Sequence, residues 1–219
     1  MSFFSRIFVA IIQVLIGAVA AFRFQRKSFH YQNRIRDLQD KANTIIKISS
    51  EISEAYTKRK VRTNNLLQSL KTDNPNIGDY RKSYREAVEQ WNIMLNKQNI
   101  LLNSVELYGI AKEKLEGDIH KDFLAIHQTI LLLLEEIDKE QKVTKDNINN
   151  ALITLGGMQE KSLKLTNILL NKAKEEMDKS EGYKKVELSK VNLESATTWE
   201  LIRALYSSSN RFSIKSSIF

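Results

Sequence analysis

Residues 31–70 read YQNRIRDLQDKANTIIKISSEISEAYTKRKVRTNNLLQSL. Steps of four and three from Tyr31 pick out Ile35, Leu38, Ala42, Ile45, Ser49, Ile52, Tyr56, Arg59, Thr63, Leu66 and Leu70, and with Tyr31 nine of these twelve positions are apolar. That alternation marks a helix that lays one stripe against other helices. The misfits cluster near Arg59 and Thr63. One continuous helix over this stretch would be about 60 Å long at about 1.5 Å per residue.

C-terminal to this stretch, residues 72–79 (TDNPNIGD) hold the chain's one proline, with Asn before it and Gly-Asp after it. The chain is expected to turn here, with Asp79 as the N-cap of a second helix over residues 79–108. The second helix carries the register Tyr80, Tyr84, Ala87, Trp91, Met94, Leu101, Val105 and Tyr108. Gly109 and Gly117 bracket a short amphipathic link, a turn or a kink. A third helix from about Asp118 shows Ile119, Phe123, Ile126, Ile130, Leu133 and Ile137. Its apolar run at 130–134 is too short to span a membrane and belongs in a core or a tight interface. The pattern thins over 142–150, and Gly156-Gly157 offers a hinge. Residues 158–177 (Leu165, Ile168, Leu169, Met177) and 184–206 (Val186, Val191, Trp199, Ile202, Leu205) read as two more helices parted by Ser180-Glu181-Gly182. The Ser-rich end, 207–219, reads as a tail.

N-terminal to it, residues 7–22 read IFVAIIQVLIGAVAAF, sixteen residues without a charge. With Phe3, Phe4 and Phe24 the run reaches about 20 residues, enough to cross a ~30 Å hydrocarbon slab. The anchor residues are Phe4, Ile7, Phe8, Ile11, Ile12, Leu15, Ile16, Val19 and Phe22. Ala18-Val19-Ala20 resembles a signal cleavage site, but the basic cluster follows the apolar run instead of preceding it. Arg23, Arg26, Lys27, Arg34 and Arg36 come after it; only Arg6 and the amino terminus precede it. The positive-inside rule then puts the N-terminus outside and the bulk of the chain in the cytoplasm, or on the matrix side of a mitochondrial membrane. Nothing between Phe22 and Phe29 breaks a helix, so the anchor can run directly into the first long helix. Gly17 and Ala21 form a small-xxx-small pair that would let two anchors approach closely.

The charge follows the same division. The chain of 219 residues carries 34 Lys+Arg and 26 Asp+Glu, a net of +8. Residues 23–62 hold 11 basic and 4 acidic residues, so +7 lies next to the apolar run. Arg23, Arg26 and Lys27 are the expected contacts with anionic headgroups, each worth about 1 kcal/mol there. Lys58-Arg59-Lys60 and Arg62 lie beyond a Debye length and are expected to face water or an acidic partner. No recognition motif and no aromatic stacking series accompanies the basic block, so nucleic acid is not an expected partner.

Few features point to chemistry. Without cysteine there is no disulfide, thiolate metal site or thiol nucleophile. One proline and seven glycines leave too little turn chemistry for a many-stranded β fold. His120 and His127 lie seven apart, with Glu116 one turn before His120, but no Glu-x-x-His pair accompanies them. They read as boundary residues of a packed helix. No nucleophile elbow or phosphate-cradling loop occurs. The least ordinary feature is Asn92, Asn96, Asn99 and Asn103, spaced 4-3-4 along the second helix beside Trp91. Such a stripe would fix register with a neighbouring helix or partner, or be a solvated face. Trp91 and Trp199 are each expected in a core.

The expected fold is all-α: one N-terminal transmembrane helix, then a long-helix bundle or antiparallel coiled coil of four to five helices. The expected segments are 1–28 (anchor and basic edge), 29–206 (bundle) and 207–219 (tail). The expected function is non-catalytic: a membrane-anchored scaffold subunit whose partners are the bilayer and other subunits or further copies of the chain. Trp91, Asn92, Asn96, Asn99, Asn103, Ile119, Phe123, Ile126, Ile130, Leu133 and Ile137 are the candidate helix or partner interface. No cofactor or metal is expected. The alternative is a membrane-bound sensor, signalling or defence component whose bundle responds to a ligand or partner.

Overall fold

The computed structural model describes residues 3–72, 76–139 and 144–187, with Thr197 and Trp199, save the side chains of residues 5, 6 and 182–187. The regular elements among the described residues are all helical, with no strand. Helix α1 spans Phe3–Lys71, α2 spans Ile77–Ser104 and the short α3 spans Tyr108–Ile110. A π-helical stretch, Ala111–His120, joins α3 to α4 (Lys121–Asp138), and α5 spans Lys145–Glu187. The chain divides into two units, Met1–Ala42 with Lys174–Phe219, and Asn43–Ala173.

In the unit Asn43–Ala173 the core follows the heptad spacing closely. On α1 the residues Ile45, Ser49, Ile52, Tyr56, Arg59, Thr63, Leu66 and Leu70 are all buried, misfits included. On α5 the buried set is Ile148, Ala151, Leu155, Met158, Ser162, Leu165, Leu169 and Ala173. Phe123, Ile126, Ile130 and Leu133 do the same for α4, and Tyr84, Ala87, Trp91, Met94, Gln98 and Leu102 for α2. Each helix thus turns a three-four stripe inward and, Arg59 excepted, leaves its charges outside, as amphipathic helices do. Polar contacts tie the stripes together: Lys60 Nζ to Gln159 Oε1 at 2.8 Å, Arg81 Nη2 to Asp138 at 3.0 Å, and Lys161 Nζ to Asp122 at 2.6 Å.

Several boundaries differ from the expected ones. Helix α2 starts at Ile77, so Asp79 lies in its first turn, where a carboxylate complements the helix dipole. It ends at Ser104, before Tyr108, in a Schellman turn: Leu107 N–H bonds Leu102 O at 2.8 Å and Glu106 N–H bonds Asn103 O at 3.1 Å. Glu106 takes the left-handed position at φ 64° that glycine usually fills. Gly109 and Gly117, expected to bracket a link, are both helical. Gly156-Gly157 and residues 180–182 are helical too, so α5 is one helix where two with a hinge were expected. The turn at 73–75, residues 140–143, and the Val191, Ile202, Leu205 and 207–219 readings lie outside the described residues.

The unit containing residues 3–42 is built differently. Phe4, Ile7, Phe8, Ile11, Ile12, Leu15, Ile16, Val19 and Phe22 are all exposed. One helix, α1, has a stretch long and apolar enough to cross a membrane, and none of that stretch is buried. In this unit Trp199 is 73% exposed, against the expectation of a core position.

Candidate functional site

The least expected feature of the core is Arg59. Its place in the α1 stripe sends it inward, so it is only 3% exposed and does not face water as its neighbours Lys58 and Arg62 do. Aromatic rings enclose it. The guanidinium carbon lies 4.2 Å from the centroid of Phe123 and 5.6 Å from that of Trp91. Nη2 donates to the Phe123 carbonyl at 3.5 Å, while Nε and Nη1 have no hydrogen-bond partner. Burial pushes the Arg59 pKa down to about 10, with the Tyr84 oxygen beside it opposing the shift, so the group remains charged near neutrality. A buried guanidinium without a carboxylate is costly, and ring faces return part of that cost, about 2 kcal/mol or more per desolvated contact.

Four elements assemble the surroundings. Phe123 of α4 lies 5.0 Å from Trp91, edge to face, and 5.8 Å from Tyr56 of α1. Trp91 of α2 donates Nε1–H to His120 Nδ1 at 3.1 Å, at the end of the π-helical stretch. The Tyr84 hydroxyl meets His127 Nδ1 at 2.7 Å. Burial raises Tyr84 to about 12, so it is a neutral phenol. Both histidines are held below the ordinary value, first by burial and then by the charge of Arg59. Arg59, His120, His127, Tyr84 and Trp91 therefore form one connected polar layer within the core. Sequence reasoning named the two histidines and two aromatics singly. Arg59 was legible only by letting its register position outweigh its charge.

The structure sorts the candidate interface residues. Trp91, Ile119, Phe123, Ile126, Ile130 and Leu133 are buried in the chain's own core, with Ile137 packed half-buried against it. Asn92, Asn96 and Asn103 are exposed, and the half-buried Asn99 donates to the Glu116 carboxylate. Within the chain the stripe is therefore no buried ladder. Arg23 and Arg26 are exposed and Lys27 is half-buried.

An open groove of about 500 Å³ lies between α1 and α5, lined by Tyr56, Lys60, Val61, Leu155, Ser162 and Leu163. A second hollow beside it shares Ser53 with the groove and adds Ile46 and Leu170. A smaller cleft between α2 and α4 reaches Tyr84 and His127, past Arg85, Glu89, Asn92 and Asn96. Among the described residues no three metal-ligating side chains converge. Comparison with protein families, with curated proteins and with solved structures brings no match to this chain.

Proposed function

We propose that the chain is a non-catalytic, single-pass membrane-anchored interaction subunit, holding a helical domain at the cytoplasmic or matrix face as part of a larger assembly. One observation carries the reading: an apolar stretch with no buried residue continues, in one unbroken helix, into the stripe that builds the core. In water such a stretch would expose apolar side chains on every face of a helix, whereas hydrocarbon accepts them. The basic residues after it favour retention of the following chain on the inner side. Tethering raises the effective concentration of whatever the domain binds at that surface. An antiparallel coiled-coil pairing of α1 with α2 belongs to this proposal, and so does the groove between α1 and α5 as a partner surface.

The full chain with a C-terminal tag tests it. Membranes washed at alkaline pH should retain the protein, and protease should reach the tag only from the inner side. Gently extracted protein should run as a large particle with other chains. Release by the wash, or loss of the first 20 or so residues, overturns the anchor. A partner-free monomer overturns the subunit role and favours a sensor, a reading supported by the uncompensated charge of Arg59 in the core.

A further inference from the structure

The two histidines differ in what their partners permit. An indole N–H donates and cannot accept. The bond from Trp91 Nε1 to His120 Nδ1 at 3.1 Å therefore requires a lone pair on Nδ1, with the ring proton on Nε2. When the ring takes up a proton both nitrogens carry hydrogen, and two N–H groups face each other at that distance. The bond is lost. His127 is more tolerant, because the Tyr84 hydroxyl can turn from donor to acceptor.

The surrounding charges act in the same direction. Arg59 of α1 opposes a proton on either imidazole. Glu116 favours the His120 imidazolium but is engaged by Asn99 of α2. From α2, Arg85 and Glu89 line the cleft that His127 reaches, and Tyr84 there is a neutral phenol. Across the α4–α5 contact, Asp122 is paired with Lys161. The backbone offers a place to yield. His120 closes the stretch Ala111–His120, where Lys121 N–H bonds Glu116 O five residues back, and such wide turns are uncommon and frequently occur at functional sites.

We propose that His120 is a proton-operated latch: protonation breaks its bond with Trp91 and loosens the packing of the π-helical stretch on α2. The latch goes beyond tethering, since it needs neither bilayer nor partner, and it gives the domain a stimulus, the proton. The test uses the full chain in mild detergent with Trp199→Phe, which leaves Trp91 as the sole tryptophan. Between pH 8 and pH 5 the Trp91 emission should shift to the red reversibly, with a midpoint below the ordinary histidine value and helicity unchanged. Adding His127→Gln should leave the transition in place, whereas adding His120→Gln should abolish it. Absence of a transition, its persistence at the same midpoint with His120→Gln, or a parallel loss of helicity overturns the latch. Should His120→Gln fail to fold, labelled histidine in the unsubstituted chain decides. A His120 signal that titrates at the ordinary value while the Trp91 indole N–H resonance stays fixed is then the overturning result.

Discussion

Arg59 shows what one position in a heptad can impose. Seven residues after Ile52 and seven before Leu66, it lies on the buried line of α1, and the helix cannot turn it outward without also exposing its neighbours on that line. A guanidinium forced inward there has its charge set against the faces of Phe123 and Trp91. Replacing a buried ion with an apolar side chain of similar volume is often neutral or stabilising, by up to about 4 kcal/mol. Arg59→Met should therefore raise the thermal midpoint, and it should bring both histidines closer to their ordinary titration range by removing the charge that opposes them. Calorimetry and histidine resonances measured across pH check the two parts separately. A lower midpoint would mean that the ring contacts outweigh desolvation. The periodicity of the sequence places Arg59 in the right register, while its residue type alone suggests a solvated charge; at this position register prevails.

At the scale of elements, periodicity was the reliable guide and glycine the unreliable one. The stripes of α1, α2 and α4 were legible because burial there repeats every three or four residues over many turns. The single continuous α5 was not. Its Gly156-Gly157 pair suggests a hinge, yet Leu155 and Met158 on either side are buried in the same stripe, and their packing holds the helix through the pair. Conversely, α2 stops at Ser104 with no glycine at the turn, because the Leu107 bond to Leu102 closes the helix with Glu106 in the left-handed position. Helix–helix packing thus overrode local preference in α5, and a local backbone bond did so at the end of α2. Gly157 is exposed, and a Cβ placed there would meet nothing within 4 Å. Gly157→Ala should then stabilise by about 1 kcal/mol, the usual helix-interior difference. A higher urea midpoint with unchanged slope is the expected result, and a decrease would show that α5 needs flexibility at this point.

For the molecule as a whole, the response to acid combines these local shifts with the net charge. In the folded state His120 and His127 are held below 6.5, by burial first and Arg59 second. Glu51 is held below 4.5, chiefly by its bond from Lys97, with Gln98 of α2 assisting. In each case the unfolded chain binds protons more readily, so stability rises with pH across the interval between the two states' pKa values. Stability contributed by the neutral histidines is complete above about pH 6.5 and is lost as pH falls toward their folded values. The Glu51 contribution is complete above about pH 4.5 and is lost below it. The expected curve is level from pH 8 to 7, descends once from about 6.5, and descends again below about 4.5. A third effect lies beneath both steps. The chain already carries +8 at neutrality, and each carboxylate that takes up a proton adds to its self-repulsion. Salt separates the contributions, because it screens exposed charges well and buried ones poorly. Added salt should soften the lower descent, where the Glu51–Lys97 pair and the general repulsion are both partly exposed to solvent. It should leave the upper one, set by burial and by the enclosed Arg59, nearly unchanged. Urea unfolding of the full chain, followed by helicity at a series of pH values in low and high salt, measures all of this. A single descent confined below pH 5, or an upper step that disappears in salt, would show that the buried histidine–arginine layer does not govern acid stability.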